Sequence, residues 1–182
     1  MNNDMRNRPI YRKKTVLWGI GLSVLLIFRF LLFTNYVVEG ESMMPTLQQG
    51  NLLIINKWGS IHRFDVIVFH ANAREDYVKR VIGLPGDQIT YKNDVLYVNG
   101  KPTEEPYLKP YKRKLIDGKL TGDFTLEEVT RTKVVPRGYV FVLGDNRLNS
   151  WDSRHFGFVK MSRIVGKVNA RYWPFREFAT RF

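Results

Sequence analysis

Beyond residue 50 the chain is a series of short apolar runs, β-branched or aromatic, broken by Gly, Pro, Asn and Asp. Asn51–Asn56 (NLLIIN), Asp65–His70 (DVIVFH), Tyr77–Ile82 (YVKRVI), Ile89–Tyr91, Val95–Val98, Tyr139–Leu143 (YVFVL) and Ile164–Trp173 all have the length and residue preference of strands. Lys92-Asn93-Asp94 between two of them is a hairpin signal, and Asn99-Gly100 marks another tight turn. Helix is sparse, with one short piece expected near Thr125–Val129. Residues 101–137 are richer in charge and proline and read as a surface excursion between core strands. The pattern predicts a mainly β domain over residues 37–182, an antiparallel sandwich or partly open barrel.

The N-terminal pattern is different. Residues 16–38 are almost entirely apolar, with Arg29 the only charge before Glu39. About 20 such residues cross a bilayer as a helix, and Arg29 lies in the outer half, where its long side chain reaches the interface. Residues 1–15 hold Arg6, Arg8, Arg12, Lys13 and Lys14 against Asp4, an excess that keeps this end in the cytoplasm. A cleaved signal peptide has a shorter apolar core, about 7–15 residues, and a cut at Val38-Glu39-Gly40 falls just before Ser42. The expectation is a basic cytoplasmic tail over 1–15, an uncleaved transmembrane signal anchor over 16–36, and an extracytoplasmic domain in the cell membrane's outer environment.

Composition narrows the function classes. Of 182 residues, 44% are hydrophobic and 25% charged, enough for a packed core and unlike a disordered chain. The net charge of +12 raises the question of nucleic acid, but no helix-turn-helix, zinc or RNP-like pattern is present and the basic residues are scattered. Attraction to anionic membrane lipids accounts for the excess without nucleic acid. With no cysteine, thiol chemistry and disulfides are excluded. His62, His70 and His155 lack metal-ligand spacing, so neither a metal nor a cofactor is expected. Nothing in the pattern sets the oligomeric state.

The candidate chemistry starts at Gly40-Glu41-Ser42-Met43-Met44-Pro45-Thr46-Leu47. Pro45 stiffens the backbone after Ser42, as a nucleophile held in one orientation requires. Ser42 needs a base. A histidine is one option. A lysine is another if its pKa, about 10.4 when free, is lowered by burial. In a strand Lys79 shares a face with Tyr77 and Val81 and points among apolar groups, with Arg80 on the opposite face. The third cluster, Gly144 to Arg154 (GDNRLNSWDSR), follows a strand and is dense in hydrogen-bonding groups. Three readings stand on these residues: a Ser/Lys hydrolase, a His-based serine hydrolase, and a membrane-anchored β module that binds without catalysis.

Taken in order, Ser-Met-Met-Pro-Thr after an apolar segment, Tyr-Val-Lys-Arg-Val-Ile-Gly-Leu-Pro-Gly-Asp, and Gly-Asp-Asn-Arg-Leu-Asn-Ser-Trp-Asp-Ser-Arg resemble the bacterial type I signal peptidases, in particular the smaller Gram-positive members. The resemblance implies a mainly β membrane protease that removes signal peptides from exported precursor proteins. It implies Ser42 as nucleophile, Lys79 as general base and Ser150 as the residue that orients the lysine. Asp145, Asp152, Arg80 and Arg154 fall on motif positions that support the site. Val38, Met43, Tyr77 and Val78 fall near the pockets for small substrate side chains. At Gly40 some members carry a serine whose hydroxyl helps hold the oxyanion; here the Ser42 backbone N–H is left for that task. Leu148 and Trp151 replace polar or small residues of some relatives.

Overall fold

The computed structural model describes residues 14–25, 33–112 and 118–182. Two units divide the chain, Met1–Thr34 and Asn35–Phe182. In the first, residues 14–25 are helical, with Leu17, Trp18, Leu22 and Leu25 exposed. No helix among the described residues is long and apolar enough to cross a membrane. Arg29 and most of the second half of the expected anchor lie outside the described residues, and its last four positions, 33–36, belong to a strand.

Among the described residues, eleven strands form two sheets. The larger runs β1 (Phe33–Val37), β2 (Leu52–Asn56), β11 (Ile164–Trp173), β3 (Val66–His70), β4 (Asp76–Gly83), β9 (Tyr139–Leu143) and β10 (Val159–Lys160) in spatial order. The smaller runs β7 (Lys101–Thr103), β6 (Val95–Val98), β5 (Ile89–Lys92) and β8 (Phe124–Thr125). The ladders from β2 through to β10, and those of the small sheet, are antiparallel.

Local chemistry explains the turns. Asn93 and Asp94 both have positive φ, as do Asn99 and Gly100, the geometry that two-residue hairpin loops demand and that Asn, Asp and Gly tolerate. The short helix Leu126–Thr130 starts at a capping box: the Thr125 side chain accepts from the Glu128 backbone, and Glu128 accepts from that of Thr125.

Strand β3 is buried on both faces. Val66 and Val68 pack with Leu53, Ile55, Met43 and Leu47 on one side; Ile67 and Phe69 pack with Val81, Val140 and Val142 on the other. A third cluster joins Ile82, Phe141 and Leu143 of the large sheet to Ile89, Tyr91, Leu96 and Phe124 of the small one. The large sheet coils strongly: Tyr36 on edge strand β1 donates to Asp76 of β4 at 2.8 Å, four places away in strand order. Residues 101–137, expected as a surface excursion, instead complete the small sheet with β7 and β8 and bury Leu108, Leu120, Phe124, Leu126 and Val135. Charge density hid them because the apolar residues there are single and widely spaced.

Candidate active site

Ser42 lies in a tight turn after β1. Met44 N–H donates to the Glu41 carbonyl at 3.1 Å and Leu47 N–H to the Met43 carbonyl at 2.9 Å. Met43 and Leu47 are buried, so the turn is pinned by its own apolar side chains. The Met44–Pro45 peptide is cis. Gly40 has a φ of 78° with open space around its α-carbon. Backbone conformation, not crowding, therefore favours glycine here over a serine donor.

Lys79 comes from β4. It is 4% exposed, and its Nζ donates to Ser42 Oγ at 2.7 Å and to the Val78 carbonyl at 3.1 Å. The amine also lies 5.2 Å from the Tyr77 ring centroid. Burial lowers its pKa from 10.5 to about 8, against the opposing pull of the Asp152 and Asp145 charges. Val78 and Arg80 lie on the other face, as strand alternation requires: Val78 packs against the cluster containing Val38 and Met43. No histidine hydrogen-bonds to either Ser42 or Lys79 among the described residues; His70 pairs with Asp76 at 2.6 Å and His155 stacks on Trp151.

The Gly144–Arg154 loop clamps both groups. Asp145 takes two hydrogen bonds from Arg80, at 2.8 and 2.6 Å, with both side chains fully buried. The same carboxylate accepts from Thr46 Oγ1 at 2.5 Å. The Asn146 N–H donates to the Ser42 carbonyl at 3.0 Å. Asp152 binds Arg154 twice, each at 2.9 Å, and receives the Gly144 N–H at 3.1 Å. Burial opposes its charge, but the hydrogen bonds and charge of Arg154 and the Gly144 N–H hold the Asp152 carboxyl below its usual range.

Ser150 differs from expectation. Its Oγ is buried without a hydrogen bond of standard geometry, although its nearness helps keep Asp152 ionised. It does not bond to Lys79. Instead it packs on Gly144, where a β-carbon would stand 2.2 Å from Ser150 Oγ and 2.5 Å from the Ser42 carbonyl oxygen.

Several contributors carried no assignment from sequence. Arg147, 2% exposed, donates to the Gly144 carbonyl at 3.0 Å, Tyr91 at 3.0 Å, Thr121 at 2.9 Å and Glu105 at 2.5 Å. Glu105 also accepts from Tyr91 and Tyr107, and the Tyr107 ring lies 3.9 Å from the Arg80 guanidinium carbon. Arg171 of β11 reaches the Thr46 carbonyl at 2.8 Å. The only signal for Arg147 was its place inside the third motif.

A cleft of about 710 Å³ opens beside Ser42 and Lys79, lined by Tyr36, Val38, Gly40, Met43, Tyr77, Val78 and Trp151, among others. The β9 ladder begins only at Arg80. Among the described residues, Asp76–Lys79 thus have no strand partner on that side of β4. No group of three or more His, Cys, Asp or Glu among the described residues is arranged to hold a metal ion.

The family profile described as signal peptidase, peptidase S26, matches residues 12–173. The chain belongs to that family. It is 68% identical to the signal peptidase I of Bacillus caldolyticus over 169 residues, 91% of this chain and 93% of the relative. Identity to the signal peptidase IB of Staphylococcus aureus is 45% over 184 residues, 94% and 96% of the two chains. The crystal structure of a signal peptidase I from Enterococcus faecalis V583 aligns with a TM-score of 0.58 at 45% identity, covering 60% of this chain and 97% of that one. The chain is accordingly a serine protease of the S26 family, mainly antiparallel β in its folded unit.

Proposed function

We propose that this S26 peptidase is a membrane-anchored endopeptidase that cuts signal peptides from exported precursors, with Ser42 as nucleophile and Lys79 as general base. One observation carries the reading: a lysine that is 4% exposed, with its pKa lowered to about 8, donates at 2.7 Å to the hydroxyl of a turn-locked serine. Neutral Lys79 takes the Ser42 proton as Oγ adds to the scissile carbonyl. The lysine then gives that proton to the departing amine as the C–N bond breaks. A water, losing its proton to Lys79, adds to the acyl carbonyl; the carbonyl–Oγ bond then breaks and Lys79 returns that proton to Ser42 Oγ, which restores both groups. The Ser42 backbone N–H is the oxyanion donor in this scheme, and one such donor contributes about 3 kcal/mol. Asp145, Asp152, Arg80 and Arg154 hold the loops, and Ser150 packs on Gly144 without a hydrogen bond to the amine.

The unpaired side of Asp76–Lys79 gives an extended peptide a ladder to join. Alternate side chains then enter the cleft beside Val38, Met43 and Val78, the walls this reading assigns to the small groups at positions −1 and −3. Recognition of a signal peptide is also positional. Ser42 follows the apolar segment by four residues, a span of no more than about 14 Å, so a substrate whose own apolar core sits in the bilayer presents its cut site near this height. The exposed apolar side chains of residues 16–25 suit lipid contact, with the basic tail in the cytoplasm.

The test is processing of a precursor with a small-x-small site by detergent-solubilised protein, with Ser42→Ala and Lys79→Ala alongside and the cut bond located by mass spectrometry. Cleavage after the small-x-small triplet, lost in both variants, is expected. An active Lys79→Ala beside a dead histidine variant replaces the dyad with a His-based hydrolase; a folded wild type that cuts nothing is a binding module.

A further inference from the structure

A second pocket adjoins the cleft. It measures about 270 Å³ and shares His70, Asn72, Tyr77 and Trp151 with the cleft lining. Its walls are aromatic: Phe69 and Tyr77 meet edge to face with centroids 6.1 Å apart, and Phe156 lies 6.2 Å from Phe69 and 6.4 Å from Tyr77. Phe158 and Arg163 complete it. Trp151 stands at the shared lip, 61% exposed, its ring stacked on His155 at 4.5 Å. An exposed tryptophan held flat by a neighbour offers a hard apolar wall with little conformational freedom to lose.

Resting on the peptidase reading above, we infer that this aromatic pocket receives the side chain at position −2 of the substrate, between the two small residues, and selects a large apolar or aromatic group there. In β4 Val78 faces the small-residue side with Val38 and Met43, whereas Tyr77 faces the cluster of Phe69 and Phe156. A peptide laid along Asp76–Lys79 obeys the same period of two. If −1 and −3 enter on the Val78 side, −2 leaves on the Tyr77 side, where the pocket opens. Position +1 shares that side, but Tyr77, His70 and Asn72 lie along the part of the edge before Lys79, which the non-primed residues occupy. Arg163 at the pocket disfavours a basic tip.

The test uses the full-length protein in detergent with matched peptides identical except at −2 (Phe, Tyr, Leu, Gly, Lys), and a second set varied only at +1. Expected is a kcat/KM for Phe or Tyr at −2 about tenfold above Gly, the discrimination an apolar pocket typically achieves, with Lys below Gly. In Trp151→Ala the Phe-to-Gly ratio falls to about threefold or less; in Trp151→Phe most of it remains. Equal rates across the −2 set, a ratio untouched by Trp151→Ala, or a preference confined to the +1 set would each overturn the pocket while leaving the peptidase intact. Cleavage of no peptide in either set brings down the peptidase reading itself.

Discussion

Thr46 Oγ1 donates to Asp145 at 2.5 Å, and the same carboxylate grips Arg80. Thr46 is four residues after Ser42, and Arg80 immediately follows Lys79. A single buried carboxylate thus spans the two segments whose side chains meet at 2.7 Å. The separation of serine from lysine is set by this strut as much as by either group's own strand or turn. Asp145→Asn should keep the shape but leave Arg80 an unmatched buried charge, a loss of about 3–5 kcal/mol. In a chain of this size that lowers Tm by roughly 10 °C, read by circular dichroism, and kcat falls more than KM rises. An unchanged Tm refutes the strut.

In the proposed mechanism the lysine acts only when neutral, so activity should climb with pH. The fraction of free amine reaches one half at about 8, and kcat/KM should rise through that point and level above it. The stability effect has the same sign. The folded pKa lies below the unfolded one, so the unfolded chain binds more protons between pH 8 and 10.5, and stability rises with pH across that window. Below pH 8 the full cost of burying the ammonium is present. Lys79→Met should therefore be inactive yet melt higher than wild type at pH 7, with the gap closing towards pH 10. A midpoint near 6.5 in the rate profile points to histidine instead.

Histidine replacements separate the bases directly. His62 bonds to Ser60 and Asp65, His70 to Asp76, and His155 stacks on Trp151. None hydrogen-bonds to Ser42 among the described residues. His62→Gln should match wild type, and His70→Gln and His155→Gln should retain at least about a tenth of kcat, since loss of a true general base costs far more, typically 100-fold or greater. The measurement is single-turnover cleavage across pH 6–10, where all three keep the rise near 8.

Gly144 is irreplaceable for reasons of space. A β-carbon there would collide with Ser150 Oγ and the Ser42 carbonyl, so Gly144→Ala must push the serine turn away from Lys79. A displacement of about 1 Å at the reacting atoms costs on the order of 100-fold. Adding Ser150→Gly removes one collision and should recover part of the lost kcat, a rescue that simple unfolding would not give.

The buried Glu105–Arg147 pair makes a sharper pair of variants. Glu105→Leu leaves a fully buried guanidinium without its carboxylate and should cost about 3–5 kcal/mol, whereas Glu105→Leu combined with Arg147→Met should cost much less, because no isolated charge remains. Urea denaturation of the two proteins distinguishes these outcomes.

What the chain disclosed about itself follows from distance along it. Strands β2 to β6, β9 and β11 were legible because period, β-branching and turn residues are local. Ser42 and Lys79 were legible as a serine before a proline and a lysine alternating with apolar residues. Glu105 was not: it lies in a charged, proline-rich segment next to Glu104, and its burial depends on Arg147, 42 residues onward. The pairing of β5 with β8 likewise joins residues more than 30 apart, which no short window registers. Ser150, expected to orient Lys79, packs on Gly144 instead and does not bond to the amine, since hydroxyl direction depends on that packing rather than on the motif.

Four residues, Asp76 to Lys79, are all the open backbone that β4 offers a guest. At about 3.3 Å per residue that is a grip of roughly 13 Å, and most of it is main chain. If a substrate docks there as proposed, a hold of that kind leaves the enzyme nearly indifferent to the wording of the polypeptide beyond a short window, so precursors need share only a cleavable hem.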